Sequence, residues 1–404
     1  MKLAAIIAEY NPFHIGHKYQ IDEARKLLGE DTAIIAIMSG NYTQRGELAI
    51  ADKTVRAKLA VLEGVNLVLE LPFPFSSSTA EIFAKSGVHI SNAIGADYLI
   101  FGSECGDINT ISKAAEIMTS DEFYSLSENL KNDKINKAKS YPQLVEEAYM
   151  ALGGKELDFD ISSPNNILAL EYMKAIKEMG NSITPITIKR EGAGYSDTEI
   201  KESTQLQSAT AIRELLFAED SSAYEYMPEN AKSVFKEARN NGLMPANVEK
   251  ISPAIISSLR LNTHGGVDIF DADNGLYNRL CTLSMKTNSI LSLASYAETK
   301  THTKARIKRA IFNSFFGVTS SIAKELPAYT QVLAFDEIGR TALKRIKKTT
   351  DFPCITKPAD YDTFSNVVIR QKDLSNKADS IYVLALPKNV PGTFHLTFTP
   401  FVKK

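Results

Sequence analysis

The sequence predicts an α/β fold built on a parallel sheet, followed by a basic C-terminal α+β domain. Two observations support this prediction. In the first half of the chain, short apolar runs alternate with amphipathic helical segments, as expected for a parallel sheet covered by helices on both faces. In the second half the charge changes sign. Residues from Lys250 onward contain 22 Lys and Arg against 12 Asp and Glu, whereas the preceding residues contain 24 against 36.

Five strands and the helices between them are predicted in the first part of the chain. Each strand is a strand-length run rich in apolar residues, and each helix repeats its apolar residues at helical spacing. The strands are KLAAIIAE (2–9), TAIIAIM (32–38), NLVLEL (66–71), YLIF (98–101) and ITPITIKR (183–190). Helices are predicted over 18–29, 52–63, 79–95, 107–153, 164–180 and from 208, with a glycine loop at 192–194.

A domain boundary is predicted near residues 242–245, because 404 residues exceed one ordinary core. This gives domains 1–245 and 246–404. In the second domain, helices are expected to about residue 317, and strands at 331–335, 380–385 and 393–398.

Several features of composition indicate a cytoplasmic protein with no membrane partner. No apolar run is long enough to cross a bilayer, and the residues after Met1 lack the layout of a signal peptide. Cys105, Cys281 and Cys354 lie far apart in the chain. They form no CxxC pair, so neither a disulfide framework nor a metal cluster is expected.

The most informative motif is His14-Ile15-Gly16-His17, between the first strand and the first helix. Gly16 lets a nucleotide approach the backbone, and the helix start offers unpaired N–H groups to phosphate. His14 and His17 can donate hydrogen bonds to a phosphate that gains charge in the transition state. The motif therefore predicts a Rossmann-like nucleotidyltransferase domain that releases pyrophosphate from ATP. Capping histidines or a metal site are the alternatives, although no cluster of carboxylates or cysteines accompanies the motif.

Two further segments are predicted to meet the ligand, since ligands of parallel sheets bind at the carboxyl ends of the strands. Ser208, Thr210 and Arg213 combine a hydroxyl-rich helix start with a cation one turn later, which suits the β- and γ-phosphates. Gln44 and Arg45 lie in a glycine-bounded loop after the second strand and are candidates for binding a small carboxylate or the nucleotide. The alternatives are an ordinary helix cap and a structural loop.

Four other residues are candidates for binding the adenosine part of a nucleotide. Gly102 ends a strand, where adenine or ribose can lie against the backbone. One of Asn165 and Asn166 can cap a helix while the other reaches a base edge. Arg190 ends the last strand of the series and can cover adenine or contact phosphate. The alternatives are a turn glycine, capping alone and a solvated strand end.

Two basic clusters in the C-terminal part suggest a polyanionic partner such as RNA. Either cluster alone is also compatible with a solvated helix surface. The first is predicted to form one face of a helix and comprises Lys300, Lys304, Arg306, Lys308 and Arg309. The second comprises Lys344, Arg345, Lys347 and Lys348.

Several of these segments together resemble the tRNA(Met) cytidine acetate ligase family. The resemblance covers roughly the first 215 residues and continues more weakly through THTKARIKRAIFNSFFGV. It rests on the following stretches: AAIIAEYNPFHIGHKYQI, MSGNYTQRGELAIADKTVRAKLA, LELPFPFSSSTAEIFA, FGSE, IKREGAGYSD and SATAIREL.

The resemblance implies an enzyme that activates acetate with ATP and acetylates the wobble cytidine of elongator tRNA(Met) to 4-acetylcytidine. Mg²⁺ is expected to accompany ATP, although no carboxylate cage is visible in the sequence. A metabolite nucleotidyltransferase without RNA, or a nucleotide-sensing RNA-binding protein without turnover, are the alternatives. The ATP-binding residues implied by the resemblance are Ile7, Ala8, Glu9, Tyr10, Asn11, Pro12, Phe13, His14, Ile15, Gly16, His17, Lys18, Tyr19, Gln20, Gly102, Asn165 or Asn166, and Arg190.

Overall fold

The fold was derived from a computed structural model that describes residues 1–133, 139, 141–180, 182–190, 208–273, 275–358 and 361–404. The predicted glycine loop at 192–194 lies outside these residues. Within the described ranges, every helix is too short or too polar to span a membrane.

The described strands and helices follow the predicted alternation through the first 190 residues. The strands are β1 (Lys2–Ala8), β2 (Thr32–Ser39), β3 (Tyr42–Thr43), β4 (Glu47–Leu48), β5 (Leu67–Leu71), β6 (Tyr98–Ser103), β7 (Thr184–Lys189), β8 (Thr330–Phe335), β9 (Cys354–Ile355) and β10 (Phe401–Val402). The helices are α1 (Ile15–Leu28), α2 (Lys53–Leu62), α3 (Ala80–Ala93), α4 (Ile108–Met118), α5 (Asp121–Asn132), α6 (Tyr141–Ala151), α7 (Pro164–Met179), α8 (Ala209–Phe217), α9 (Glu229–Asn241), α10 (Ser252–Arg260), α11 (Leu276–Ser284), α12 (Ile290–Ala297), α13 (Lys304–Phe316), α14 (Ser320–Ala323), α15 (Glu337–Thr349), α16 (Asn366–Tyr382) and α17 (Phe394–Thr397). Short 3-10 helices occupy Gly154–Glu156, Ser221–Tyr226, Val248–Ile251 and Val383–Ala385.

The main sheet has the strand order β10-β8-β5-β2-β1-β6-β7, and β9 pairs with β8 outside this series. Strands β5, β2, β1, β6 and β7 are parallel to one another. Strand β8 runs antiparallel to β5, and β10 is parallel to β8. The fold class is therefore confirmed as an α/β fold on a mostly parallel sheet.

Helices cover both faces of this sheet. Residues of α3, α4 and α7 form one hydrophobic core against it, and residues of α1, α2, α8 and α9 form another on the opposite face. All eight residues of β2 are buried, because this strand has a neighbour on each edge and helices above and below. That explains why its sequence is apolar without alternation.

A third core belongs to the C-terminal helices. It is built from α10, α11, α12, α13 and α16, together with Tyr42 and Phe73 from the loops that follow β2 and β5. Because these two loops lie at the carboxyl ends of the strands, the helical unit is attached at the edge of the sheet where ligands bind.

Two strand predictions in the C-terminal part are wrong. Residues 380–385 form the end of α16 and a 3-10 turn, and residues 393–398 contain α17. A short apolar run does not distinguish a buried strand from a buried helix. Here Tyr382, Val383 and Ala385 are buried in the third core, and the strand predicted at 331–335 is confirmed as β8.

The division into domains 1–245 and 246–404 stays a prediction. Strands β8 and β10 come from after residue 245 but extend the same sheet as β1 to β7. Residues 252–316 form helices with a core of their own. The sheet therefore contains strands from both sides of the predicted boundary, whereas the described residues within 252–316 contribute no strand to the sheet.

Candidate active site

The candidate site lies where the chain order of the strands reverses. From β1 the chain passes to β2 and then β5 on one side, and later enters β6 on the other side of β1. The loops after β1 and β6 therefore leave in opposite directions, which opens a crevice at the carboxyl ends of the strands. The His14–His17 motif follows β1, and Gly102 lies near the end of β6.

His14 and His17 cap helix α1 and face each other. The Gly16 N–H donates to His14 Nδ1 at 3.0 Å, and the His14 N–H donates to His17 Nδ1 at 3.2 Å. The two rings lie 3.9 Å apart, centre to centre. Because each Nδ1 accepts a backbone N–H, the proton of each neutral ring lies on Nε2. The predicted capping role and the predicted donor role are thus compatible, since they use different nitrogens.

Both histidines are held in the neutral form. Burial, together with the charges of Arg190 and Arg213, lowers the pKa of His14 to about 3. Burial, His14 and Arg190 lower the pKa of His17 well below its ordinary value. A neutral imidazole with its proton on Nε2 is a hydrogen-bond donor that carries no charge of its own. It suits charge that develops on a phosphate during reaction.

A cavity of about 560 Å³ lies in the crevice. It is large enough for a nucleotide-sized ligand. Most of the predicted ATP stretch lines it, namely Ile7, Ala8, Glu9, Tyr10, Asn11, His14, Gly16, His17, Tyr19 and Gln20. The other members do not. Phe13 is fully buried in the core under α1, and Lys18 forms an ion pair with Asp22.

The structure separates the two candidate asparagines. Asn165 lines the cavity; its Nδ2 donates to Glu104 Oε1 at 2.6 Å and its Oδ1 accepts from Arg190 Nη1 at 3.0 Å. Asn166 is 2% exposed. It accepts from the Glu104 N–H at 3.0 Å and donates to the Asp160 carbonyl at 2.9 Å. Asn165 is therefore placed to meet a ligand, and Asn166 holds the loop behind it.

Gly102 lines the same part of the cavity. A Cβ atom at this position would lie 3.1 Å from Cγ of Arg190. A side chain would therefore compete with Arg190 for the space at the end of β6. The two residues, predicted separately as nucleotide candidates, therefore border the same part of the cavity.

The phosphate segment at the start of α8 is only partly in the cavity. Ser208 lines it and caps the helix, accepting from the Ala211 N–H at 3.1 Å. Arg213 does not line it. Its guanidinium donates to the Asn11 carbonyl at 2.8 Å and to Thr210 Oγ1 at 3.2 Å. Arg213 thus supports the loop after β1, and a direct contact with pyrophosphate stays a prediction.

Gln44 and Arg45 line the cavity, and their binding of acetate stays a prediction. The Gln44 N–H donates to Glu9 Oε1 at 2.7 Å, and its Nε2 donates to the Ser78 carbonyl at 2.9 Å. The loop after β2 is therefore tied both to the end of β1 and to the loop after β5.

Sequence reasoning missed Arg56, which organises the strand ends. Its side chain is fully buried in α2. It donates to the carbonyls of Glu9 at 2.6 Å, Ala51 at 2.9 Å and Ser39 at 3.0 Å, and also to the Gly40 carbonyl. A guanidinium has five N–H donors in fixed positions, so one residue can satisfy carbonyls from two strands. The sequence carries only a weak signal, an arginine between Val55 and Ala57 in a helix that also contains Lys53 and Lys58.

Sequence reasoning also missed the apolar wall of the cavity. Phe83 of α3, Phe101 of β6 and Tyr172 of α7 line it, and the rings of Phe101 and Tyr172 lie 5.5 Å apart. Their spacing in the sequence looks like ordinary core. Only the folded arrangement of α3 and α7 against the sheet shows that they reach the cavity.

The first basic cluster does not form one exposed face, and this prediction is corrected. Lys300 and Lys304 are exposed. Arg309 is 8% exposed, pairs with Asp271 at 2.6 Å and lines the cavity. Three of the five cations point toward carboxylates of neighbouring segments. Helix α13 packs into the third core, and this packing brings those carboxylates close to the helix. Lys308 pairs with Glu47 of β4, and Arg306 pairs with Asp273.

Helix α13 closely approaches the loop that carries Gln44, Arg45 and Gly46, called here the acetate-candidate loop. Gly46 has a φ of +72°, and a Cβ atom there would lie 2.5 Å from the backbone nitrogen of Arg309. Only glycine fits this contact. Thr303 and Ala305, at the start of α13, therefore become part of the cavity wall.

The second basic cluster lies at the amino ends of the parallel strands, on the opposite side of the sheet from the cavity. Arg345 of α15 donates to the Met1 carbonyl and lies 3.7 Å from Asp97. Met1 and Asp97 directly precede β1 and β6, at the amino ends of these parallel strands. Lys347 and Lys348 follow on the same helix. This cluster therefore does not adjoin the cavity.

The residues of the cavity do not make a cage for Mg²⁺. Among the described residues, no group of three or more His, Cys, Asp or Glu is placed to hold a metal ion. Glu9 is the only acidic side chain among the described residues that line the cavity. Mg²⁺ prefers several oxygen ligands. The expected Mg²⁺ would therefore take most of its ligands from the phosphates of ATP.

A parallel sheet with a nucleotide-sized cavity at its switch point, and two neutral histidines at the start of the first helix, define a protein of the nucleotidyltransferase class. The family model described as HIGH Nucleotidyl Transferase matches residues 1–393. The crystal structure of Thermotoga maritima TmcAL bound with alpha-thio ATP matches with a TM-score of 0.90 and 29% identity. The match covers 100% of this chain and 99% of that one.

Two relatives are named tRNA(Met) cytidine acetate ligase. The protein from Thermoanaerobacter sp. (strain X514) is 37% identical, with 95% of this chain and 96% of the relative covered. The protein from Caldanaerobacter subterraneus subsp. tengcongensis is 36% identical over the full length of both. The chain belongs to the HIGH nucleotidyl transferase family and, within it, to the tRNA(Met) cytidine acetate ligases. The family predicted from the sequence is confirmed.

Proposed function

We propose that this protein activates acetate with ATP and transfers the acetyl group to the wobble cytidine of elongator tRNA(Met), forming 4-acetylcytidine. The observation that carries the proposal is the pair of neutral histidines beside the cavity at the switch point. The 37% identity over 95% of the chain to a relative named tRNA(Met) cytidine acetate ligase supports the choice of substrates.

In the first step, a carboxylate oxygen of acetate attacks the α-phosphorus of ATP and the bond to the bridging oxygen of pyrophosphate breaks. The Nε2–H groups of His14 and His17 donate to phosphate oxygens as their charge grows. They are donors in the resting protein and need not reorganise, which is the condition for large electrostatic stabilisation. Gln44 and Arg45 line the cavity and are proposed to hold acetate.

Asn165 and Arg190 are proposed to hold the adenosine part against Gly102. The hydrogen bond between Arg190 and Asn165 fixes both side chains before the ligand arrives, and such preorganisation reduces the cost of binding. Ser208 at the start of α8 is proposed to meet the distal phosphates through the backbone N–H groups of that helix.

In the second step, the amine of the cytidine attacks the acetyl carbon and AMP leaves. The tRNA is proposed to approach over Lys300 and Lys304, because both are exposed and lie beside Thr303, which lines the cavity. Mg²⁺ is proposed to enter with the ATP phosphates. A cytoplasmic location is consistent with three free cysteines.

Incubation with radiolabelled acetate, ATP and tRNA(Met) tests the proposal directly. Label is expected in the RNA as 4-acetylcytidine, and it should depend on both ATP and the wobble cytidine. A tRNA(Met) transcript with uridine at the wobble position is the matched control. Exchange of pyrophosphate into ATP without any label in RNA would contradict the RNA step and favour a metabolite nucleotidyltransferase.

A further inference from the structure

The acceptor of the proton that leaves the cytidine amine is not evident from the sequence motifs. When the amine attacks the acetyl carbon of acetyl-adenylate, an N–C bond forms and the C–O bond to AMP breaks. AMP leaves with the electron pair of that bond as its phosphate anion. One proton must leave the nitrogen for the amide to form. A cavity-lining group with a free lone pair would accelerate this step.

The two histidines are poorly placed for this role. Their Nδ1 atoms accept backbone N–H groups, and their Nε2 atoms carry the ring protons. A ring in this state has no lone pair free to take another proton. Low pKa values agree with the geometry, because burial opposes the charged form of both rings.

The other side chains of the cavity leave one acceptor. Arginine and lysine side chains are hydrogen-bond donors without an acceptor atom, which removes Arg45, Lys189, Arg190 and Arg309, and the remaining polar lining groups are amides, hydroxyls and phenols. Among the described residues that line the cavity, Glu9 is the single carboxylate. We infer that Glu9 accepts the proton from the cytidine amine during acetyl transfer, an inference that rests on the proposed function.

The position of Glu9 supports this role. It directly follows β1, five residues before His14. The side chain of Ile7, two residues earlier, packs in the core beneath α3 and α7. Alternation along the strand therefore directs Glu9 toward the same face, where Tyr172 lines the cavity. Glu9 thus lies between the histidine motif and the acetate-candidate loop.

One oxygen of Glu9 is fixed and the other is available. Oε1 accepts from the Gln44 N–H at 2.7 Å, which orients the carboxyl group. Within the described part of the chain, Oε2 has no hydrogen-bond partner. The hydrogen bond to Gln44 therefore aims the free oxygen without occupying it.

The charges around Glu9 tune its basicity. Burial raises its pKa, the hydrogen bond from Gln44 partly opposes this, Arg213 and Arg56 lower it, and Glu47 raises it. Tyr172 from α7 also lies within electrostatic range. A carboxyl group with a raised pKa is a stronger base once ionised. Departure of pyrophosphate removes negative charge from the cavity, which favours ionised Glu9 at the step that needs it.

The Glu9→Gln variant of the full-length protein tests the inference, because glutamine keeps the Oε1 acceptor for Gln44. Acetate-dependent exchange of pyrophosphate into ATP reports the first step. Single-turnover transfer of acetyl to tRNA(Met) reports the second. Because Glu9 lies in the ATP stretch, the two rates are compared within the same variant: transfer is expected to fall by about 10² to 10⁴-fold more than exchange does. Glu9→Asp should recover part of the transfer rate.

The pH profile separates a proton acceptor from a merely structural residue. Transfer by the wild type should rise with pH until Glu9 is ionised, and this limb should be absent in Glu9→Gln. Glu30→Gln is the matched control, since the Glu30 side chain is 88% exposed. Equal losses of exchange and transfer, an unchanged transfer rate or an unchanged pH limb would overturn the inference. Failure of the wild type to label RNA would instead overturn the proposed function.

Discussion

Two clusters of ionisable side chains lie near the carboxyl ends of the sheet, and they have opposite character. The first is the cavity cluster, formed by His14, His17 and Glu9. The second is the buried charge cluster, formed by Asp52, Lys53, Glu70, Asp379 and His395, which joins α2 and β5 to the C-terminal helices. Lys53 Nζ lies 2.7 Å from Glu70 and 2.6 Å from Asp379, and His395 Nε2 lies 2.7 Å from Asp52.

The histidines show what separates the two clusters. Burial opposes the charged form of all of them. At His14 the neighbouring charges are Arg190 and Arg213, which lower the pKa further. At His395 the neighbours are Asp52 and Asp379, and they outweigh burial and raise the pKa. Neutral donors beside a cavity serve a ligand, whereas paired charges without access to solvent hold segments of the chain together.

The largest effect is expected from breaking the buried charge cluster. Lys53→Met would leave Glu70 and Asp379 buried without the ammonium group that bonds both of them, which costs about 3–5 kcal/mol in the free energy of unfolding. Denaturant unfolding followed by circular dichroism measures this. Lys58→Met is the control in the same helix. Its pair with Glu237 is solvent-exposed and is expected to contribute about 1 kcal/mol or less. Equal losses for both variants would contradict the distinction between the clusters.

The next effect is expected in the cavity cluster and should appear in the chemistry. His17→Ala removes one proposed donor to the phosphate, and acetate-dependent pyrophosphate exchange is expected to fall by about 10² to 10³-fold. His302→Ala is the control, because His302 does not line the cavity and bonds Thr299 at 3.1 Å. If both variants exchange pyrophosphate at the wild-type rate, the histidine motif does not act on the phosphate.

The opposite pKa shifts predict opposite effects of pH on stability. The raised pKa of His395 gives a contribution that is fully present below the unfolded pKa of about 6.5 and is lost as pH rises through the folded value. The lowered pKa of His17 gives a contribution present above about 6.5 and lost as pH falls toward the folded value.

Unfolding at pH 5.5 and pH 8.5 measures this difference. His395→Asn should be more destabilising at pH 5.5 than at pH 8.5, and His17→Asn should be less destabilising at pH 5.5. When the pKa of a histidine differs by one between the folded and unfolded chain, the free energy of unfolding changes by about 1.4 kcal/mol across the titration. The same pH trend in both variants would show that the two environments do not differ as described.

The smallest effect is expected at the surface beside the cavity. Lys300→Ala combined with Lys304→Ala should weaken tRNA binding and reduce the slope of log affinity against log salt by about 2. Lys347→Ala combined with Lys348→Ala is the matched control, since α15 lies at the amino ends of the strands, away from the cavity. Filter binding across salt concentrations measures both. An equal loss in the control would mean that tRNA follows a different path over the protein.

Much of the site could be predicted because its signals are local. A capping motif between an apolar strand and a helix places His14 and His17, since both their backbone bonds and their position depend on adjacent residues. The placement of Gly102 on the ligand side of the sheet follows from its position at the carboxyl end of a strand. The choice between Asn165 and Asn166 could not be made, because it depends on Glu104, about sixty residues earlier, which contacts both.

The basic cluster at α13 shows why the spacing of charges in the sequence was insufficient to predict an exposed basic face. Five cations at close spacing predict a solvated or RNA-binding face. Glu47, Asp271 and Asp273 instead pair with Lys308, Arg309 and Arg306. The position of α13 is decided by packing of its apolar face, and no pattern within the helix reveals which carboxylates the fold brings to the other side.

By itself, the sequence determined the α/β fold class, the histidine motif at the start of the first helix and the family, because these depend on periodicity and on residues adjacent in the chain. Only the tertiary structure decided that Arg56 binds carbonyls of two strand ends, that Arg309 enters the cavity, and that Glu9 is the single acidic side chain among the described residues of the cavity wall. These facts depend on distances between segments far apart in sequence. Such distances are fixed by packing and burial, which no local pattern records.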